Sequence, residues 1–222
     1  KICKRLVYYG KLQKVQVEQA GSVRCVIKME GVHQSKDGTF LPFLLRMYFL
    51  RGISSIKLVH TFFYDGDPKK DFVKGLGIEC VAALKGSPWN RHVRIACENG
   101  ILLEPGQLLW TRKYKDADGF YQRQMEGKPV YLHEETHSDL LDHVRDLAKW
   151  SDIKMMQDSA EHYSISKRTS QSCAYITAAH GKRAKGFMYV GGETGGFAAG
   201  LRSFWEKYPS SLQVEGLNDD ET

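Results

Sequence analysis

The richest chemistry in this sequence lies in Asn90-Arg91-His92-Val93-Arg94. In an extended segment Asn90, His92 and Arg94 project to one face, and Arg91, Val93 and Ile95 to the other. Asn and Arg can hold a carboxylate by hydrogen bonds, and a neighbouring His can exchange a proton near neutral pH. The competing reading is a polar outer strand face with ordinary charge. Residues 158–168 (DSAEHYSISKR) form a second concentration. Tyr163, Ile165 and Lys167 share one strand face there; His162, Ser164, Ser166 and Arg168 share the other. Acid, base and cation types are all present, although such clusters are commonly just solvated. His180, Lys182 and Arg183 make a basic turn. His60, between Val59 and Thr61, reads as a core or sheet-face histidine. Trp89, Trp110, Trp150 and Trp205 offer sugar-stacking platforms, though tryptophan is ordinarily core.

Two strings invite other chemistries. His133-Glu134-Glu135-Thr136-His137 matches H-E-x-x-H, and His143 follows six residues on, at the third-ligand spacing of metzincins. A zinc peptidase would need His133 and His137 on one helical face, with Glu134 as general base. Residues 130–132 read as extended, Ser138-Asp139 as the helix start, and Leu140 occupies the metzincin glycine position. A solvated connection entering a helix fits better. Gly191-Gly192-Glu193-Thr194-Gly195-Gly196 suggests a nucleotide loop, but it lacks the G-x-G-x-x-G spacing and a following Lys-Ser/Thr. A strand–turn–strand connection fits it.

The elements that must position these residues are mostly strands. Residues 23–30 (VRCVIKME) alternate, with Val23, Cys25, Ile27 and Met29 on one face and Arg24, Lys28 and Glu30 on the other. Residues 40–50, 56–64, 76–82 and 91–97 continue the pattern, separated by turn chemistry at 36–38, 65–68 and 86–88. Residues 138–150 differ: Leu140, Leu141, Val144, Leu147 and Ala148 recur at helical spacing, with Ser138 as N-cap. Strand pattern resumes at 153–157, 163–168, 173–178, 187–190 and 196–201, and 201–208 reads as a short helix stopped by Pro209. Strands at this spacing predict a sandwich of large antiparallel sheets.

Composition sets the class. The chain has 222 residues, 42% hydrophobic and 26% charged, which suits a globular protein and excludes a disordered tail. The longest apolar runs, 41–45 and 47–50, fall far short of the ~20 residues of a membrane-spanning helix. Five widely spread cysteines (Cys3, Cys25, Cys80, Cys97, Cys173) include no C-x-x-C pair. The net charge of +6 is too modest, and too dispersed, for a nucleic-acid binder. Opening on Lys1, with strand pattern almost at once, the sequence reads as part of a longer protein.

Seven stretches, taken in order, carry a resemblance: VEQAGSVR (17–24), HTFFYDGDP (60–68), NRHVR (90–94), QDSAEHY (157–163), KRT (167–169), AHGKRA (179–184) and GGFAAGLRSFW (195–205). Together, over residues 15–214, they resemble the exo-acting rhamnogalacturonan lyases of polysaccharide lyase family 26. The resemblance implies a mainly β fold, a large antiparallel β-sandwich of the galactose-mutarotase-like super-sandwich type with one short helix. Residues 1–10 would end an N-terminal β-barrel domain. Residues 11–222 would form the central sandwich, cut before a C-terminal α/α toroid. Residues 113–139 match least and read as an elaborated loop.

The implied reaction is β-elimination at galacturonic acid in the rhamnogalacturonan backbone of pectin. It needs a group to neutralise the carboxylate, a base for the adjacent proton and an acid for the departing oxygen. On the resemblance, His92, Tyr163 and Lys167 are the candidate catalytic residues. Asn90, Arg91, Arg94, His162, Arg168, His180 and Arg183 are the candidate substrate-binding residues. No metal ligand or cofactor is expected, although a divalent cation could neutralise the carboxylate in place of Arg. The expected partners are an acidic pectic polysaccharide or oligosaccharide and the toroid of the same chain, with no nucleic acid and no membrane. The compartment expected from that substrate is extracellular or periplasmic. Two alternatives remain: a non-catalytic carbohydrate-binding or scaffold sandwich, and the zinc peptidase through His133, Glu134 and His137.

Overall fold

Alternating side chains make the first four strands into one antiparallel sheet. In a computed structural model, which describes residues 6–109 and 118–218, the chain divides into two units, Lys1–Ile78 and Glu79–Thr222. The first holds β1 (Tyr9–Ala20), β2 (Arg24–Ser35), β3 (Gly38–Leu50) and β4 (Ile56–Phe62), in the order β1-β2-β3-β4. Cross-strand partners Val17 and Ile27, Ile27 and Met47, Met47 and Leu58 carry an apolar row across the sheet. Directly opposed residues share a face, so this row is the unit of sheet stabilisation. The other face is ionic: Arg46 makes a forked pair with Glu18 at 2.7 and 2.9 Å, and Lys28 pairs with Glu30 at 2.7 Å. Cys25, Ile27 and Met29 lie within β2 as the alternation predicts, whereas Val23 precedes the strand and is exposed. His60 is a sheet-face histidine opposite Leu45, with the Phe43 ring 5.6 Å away. Burial, and then the neighbouring His33, hold it below its ordinary range.

The second unit is a sandwich. One sheet runs β11-β10-β5-β6, from β5 (His92–Cys97), β6 (Gly100–Pro105), β10 (Phe187–Gly192) and β11 (Gly195–Gly200). The other runs β12-β7-β8-β9, from β7 (Asp152–Ser159), β8 (His162–Arg168), β9 (Ile176–Gly181) and β12 (Ser210–Val214). Every pairing is antiparallel. The core lies between the two sheets: Val93 and Ile95 with Met188 and Val190 from one, Ile153 and Met155 with Tyr163 and Ile165 from the other, closed by Phe204 and Leu217. Gln157 is fully buried within it and fully used. Its amide nitrogen donates to Ser159 O and Lys182 O, and its oxygen accepts from Ala184 N. The mainly β, antiparallel sandwich predicted above is therefore what the chain adopts.

Helix content differs from expectation. α1 (Phe120–Met125) is an additional short helix, and α2 spans Glu134–Arg145 rather than 138–150. His133, in extended geometry, is the N-cap and makes no side-chain cap bond; its backbone N–H donates to Nδ1 of His137 at 3.1 Å. His137 itself leaves helical geometry (φ −130°, ψ 24°), so a first turn is joined across a kink to a helical segment that starts at the predicted Ser138. Leu109, Val130 and Val144 form a small second core with Leu140, Leu147, Phe120 and Trp89. Residues 76–82 are irregular rather than a strand, and 201–208 make turns rather than a helix. No helix among the described residues is long and apolar enough to cross a membrane. Cys3, Trp110, residues 1–5 of the predicted barrel end and residues 113–117 of the predicted loop lie outside the described residues.

The inter-sheet core sets the stability of this unit. Met155→Ala, at a fully enclosed side chain, is expected to cost about 2–5 kcal/mol in denaturant unfolding. Val81→Ala, at a side chain 93% exposed, should stay within about 0.5 kcal/mol.

Candidate functional site

Core burial on β5 decides which side chains face outward. Val93 and Ile95 are 0% exposed between the sheets, so His92, Arg94 and Ala96 stand on the opposite face. On β10, Met188 and Val190 go inward, which turns Phe187 and Tyr189 outward. The β5–β10 register sets Tyr189 opposite Arg94 and Gly191 opposite His92. An open pocket of about 360 Å³ results, lined by His92, Arg94, Tyr189, Phe187, Ile101 and Gly127 among others.

The groups in this pocket have defined states. Nδ1 of His92 lies 3.3 Å from Asn90 O. A carbonyl oxygen only accepts, so this contact is a hydrogen bond in the tautomer protonated on Nδ1, which leaves the lone pair on Nε2. Burial holds the His92 imidazole below its ordinary range; the bond to Asn90 O opposes this, and the nearby Arg94 charge reinforces it. Arg94 Nη2 donates to Glu126 O at 2.9 Å. Its Nε is shielded from solvent and has no hydrogen-bond partner among the described residues. A Cβ built on Gly127 would lie 2.0 Å from Arg94 Nη2 and 3.2 Å from His92 Nε2, and Gly127 has φ +68°. Glycine at 127 therefore lets the backbone close over both groups. The Tyr189 ring sits 5.7 Å from that of His92, tilted by 42°. A guanidinium, an imidazole held neutral and a phenol thus lie together around one pocket.

The remaining candidates are placed elsewhere. Asn90 is buried and structural: its Nδ2 donates to Val130 O and to Glu193, and its Oδ1 accepts from Val130 N. Arg91 points away from His92 and donates to Leu217 O. Tyr163 is enclosed in the inter-sheet core at 3% exposure, where burial raises its phenol's pKa and its oxygen accepts from Glu98 N. That corrects the expectation that it faces a substrate. Lys167 pairs with Glu104, tying β8 to β6, and lies 4.0 Å from the Trp150 ring. Arg168 pairs with the buried Asp152 at 2.5 Å and stacks on Tyr175. Burial alone would raise the Asp152 carboxyl, but hydrogen bonds from Gly216 N, Arg168 and Ser151 outweigh it and hold the group low. His162 pairs with Asp158 at 2.8 Å, Arg183 pairs with Glu161 over the Trp205 ring, and His180 is exposed on β9 opposite Ser164. Of the ten candidates, the structure brings only His92 and Arg94 together in an open pocket.

Sequence reasoning missed Tyr189. Its signal was the alternation Phe187-Met188-Tyr189-Val190, which places it opposite the core-facing pair. His133 and His137 flank the first turn of α2, with His137 at the kink. Among the described residues, no three His, Cys, Asp or Glu side chains are grouped to hold a metal ion. The glycine-rich run forms the β10–β11 hairpin, a strand–turn–strand connection.

Fold and site together define an antiparallel β-sandwich module with an open pocket, lined by an arginine, a histidine and a tyrosine, on the outer face of one sheet. Residues 2–222 match the family described as the PcRGLX-like protein central beta sandwich domain, and the chain belongs to that family, which is related to a rhamnogalacturonan lyase. It is also 46% identical over 208 residues to the uncharacterized protein YetA of Bacillus subtilis (strain 168). That match takes in 93% of this chain and 24% of YetA, so the chain spans about a quarter of its relative's length.

The state of His92 predicts a pH effect. Its folded-state pKa lies below the ordinary value near 6.5, so on acidification the unfolded chain takes up a proton before the folded one does. Stability should fall as pH drops through about 6.5 and level off below the folded pKa. His92→Gln should flatten part of that slope in unfolding measured from pH 7.5 to 5, with His60 supplying a separate part.

Proposed function

We propose that this chain is the central sandwich of a polysaccharide lyase that cleaves the rhamnogalacturonan backbone of pectin by exo-acting β-elimination at galacturonic acid. The observation that carries the reading is that Arg94, which makes no ion pair among the described residues, and the neutral His92 line one open pocket. Arg94 receives the uronate carboxylate and draws charge from it, which makes the C5 proton acidic. In that role it supplies the positive charge that a divalent cation would otherwise provide. Nε2 of His92 takes the C5 proton, the C4–O bond breaks as the C4–C5 double bond forms, and a hydroxyl donor protonates the leaving oxygen. In this reading Tyr189, whose ring lies 5.7 Å from that of His92, makes that last transfer. Phe187 and Ile101 give the sugar ring apolar surface.

The rest of the parent polypeptide is proposed to complete the substrate cleft, with the α/α toroid as opposite wall and the barrel preceding the sandwich. An extracellular or periplasmic compartment follows from a polymeric substrate. Family membership supports the chemistry, and the pocket's donor set supports its location.

The test is an elimination assay on rhamnogalacturonan with the full-length parent, following the near-ultraviolet absorbance of the unsaturated uronate. Arg94→Ala and His92→Ala should each lower kcat/KM by about 10²–10⁴-fold, while Arg94→Lys retains part of the activity. Unchanged turnover in both alanine variants would move the site elsewhere. Binding of the polymer with no unsaturated product would favour the non-catalytic carbohydrate-binding sandwich instead.

A further inference from the structure

The run Gly191-Gly192-Glu193-Thr194-Gly195-Gly196 has no role in the chemistry above, yet it surrounds the groups that do. We propose that the β10–β11 hairpin is the positioning element of the pocket: Glu193 fixes the tautomer of His92 through Asn90, and the paired glycines Gly191 and Gly196 seat Tyr189 against His92. This deepens the lyase reading and rests on it for the purpose of the arrangement, though not for the arrangement itself.

Glu193 reaches back from the hairpin tip to the segment that enters β5. Its Oε1 accepts from Asn90 Nδ2 at 2.6 Å and from the Ser87 backbone N–H at 3.1 Å. A bond to an ionised acceptor is stronger than one between neutral groups. Val130 holds the same Asn90 amide from the other side, through its N–H at 2.7 Å and its carbonyl at 2.9 Å. The Asn90 backbone is further tied to Ser87 O at 2.9 Å. With side chain and backbone both fixed, Asn90 O is held 3.3 Å from Nδ1 of His92, where a protonated Nδ1 donates to it. The lone pair is thereby assigned to Nε2, the nitrogen on the Gly127 side of the ring.

Gly86 makes the reach possible. It has φ +94°, and a Cβ built on it would lie 2.2 Å from Glu193 Cδ. A second clearance serves Tyr189. Gly191 and Gly196 are register partners, and a Cβ on either would lie 2.5 Å from the Tyr189 hydroxyl oxygen. Gly191 is also the β5-side partner of His92. A side chain at 191 would lift the phenol away from the imidazole. Glu193 is thus a positioning residue, and the glycines are clearances for protein side chains rather than for a ligand.

The experiment reads the ¹⁵N-histidine tautomer of His92 in the full-length parent, assigned by loss of its signals in His92→Gln, with thermal melts as the fold control. The wild type and Glu193→Gln, whose amide oxygen still accepts from Asn90 and Ser87, should show a single neutral tautomer protonated on Nδ1. Glu193→Ala should show a mixture of both neutral tautomers. Should Glu193→Ala fail to fold, Glu193→Asp, shorter by one methylene, is read in the same way. Gly191→Ala should keep the tautomer but lose the Tyr189 ring-current shift on the His92 ring protons. An Nδ1-protonated tautomer that persists in Glu193→Ala, or an Nε2-protonated wild type, overturns the proposal. If the parent eliminates, Glu193→Ala should lower kcat by up to about 10²-fold with KM within about threefold. If the parent forms no unsaturated product, the lyase reading fails, and the tautomer still decides the positioning role.

Discussion

Everything at the candidate site depends on the burial of Val93 and Ile95. β5 lies between β10 and β6, and its two apolar side chains meet Met155, Ile165 and Met188 in the inter-sheet core. Side chains alternate along a strand, so sealing that pair inside is what turns His92 and Arg94 outward. A slip of one residue would exchange the two sets, placing a guanidinium in a dry core and exposing two branched aliphatics. Such a slip is strongly disfavoured, because an unpaired buried charge costs several kcal/mol. The core thus specifies the outer face without touching it.

Electrostatic pairing then separates the usable cations from the structural ones. Lys167, Arg168 and Arg183 each have a carboxylate partner, and all three lie against an aromatic ring. The Lys167–Glu104 pair joins the two sheets, and Arg168 balances the buried Asp152. A cation already neutralised by a fixed carboxylate has little field left for a substrate. Arg94 differs: its contact at Nη2 is a backbone carbonyl, and it makes no ion pair among the described residues. Its neighbour His92 is kept neutral by burial and by that same unneutralised charge. The Arg94 charge therefore acts on its neighbour, adding to burial in keeping a proton off the imidazole.

This division explains what the sequence could and could not show. Period-two alternation is a local signal, so β2, β3, β5, β7, β8 and β10 were legible, and with them the outward pairing of His92 and Arg94. β1 was not, because nearly all its side chains are exposed and register shifts at Leu12/Lys14 and Val17/Gln19 break its alternation. The helical segment that follows the kink at His137 begins where the sequence places it, at Ser138, whereas the turn before the kink carries no apolar periodicity to mark it. Tyr163 and Lys167 looked functional because β8 alternates cleanly, and alternation does not say which face is the core. Tyr189 was missed for the complementary reason. Its partnership with Arg94 is set by pairing between strands more than ninety residues apart, which no local pattern encodes.

The glycine-rich run shows the same limit. Paired glycines can mean that backbone must approach a phosphate, and then the run opens a helix whose free N–H groups meet the anion. Here it joins β10 to β11, and the residues on either side are committed to the antiparallel ladder, with Gly191 opposite Gly196 and Gly192 opposite Gly195. Backbone donors engaged in a ladder are not available to cradle an anion. What the missing side chains supply instead is room, taken up by the Tyr189 ring over Gly191 and Gly196 and, at Gly86, by Glu193. The strands on either side, more than the glycines themselves, decide which of the two uses applies.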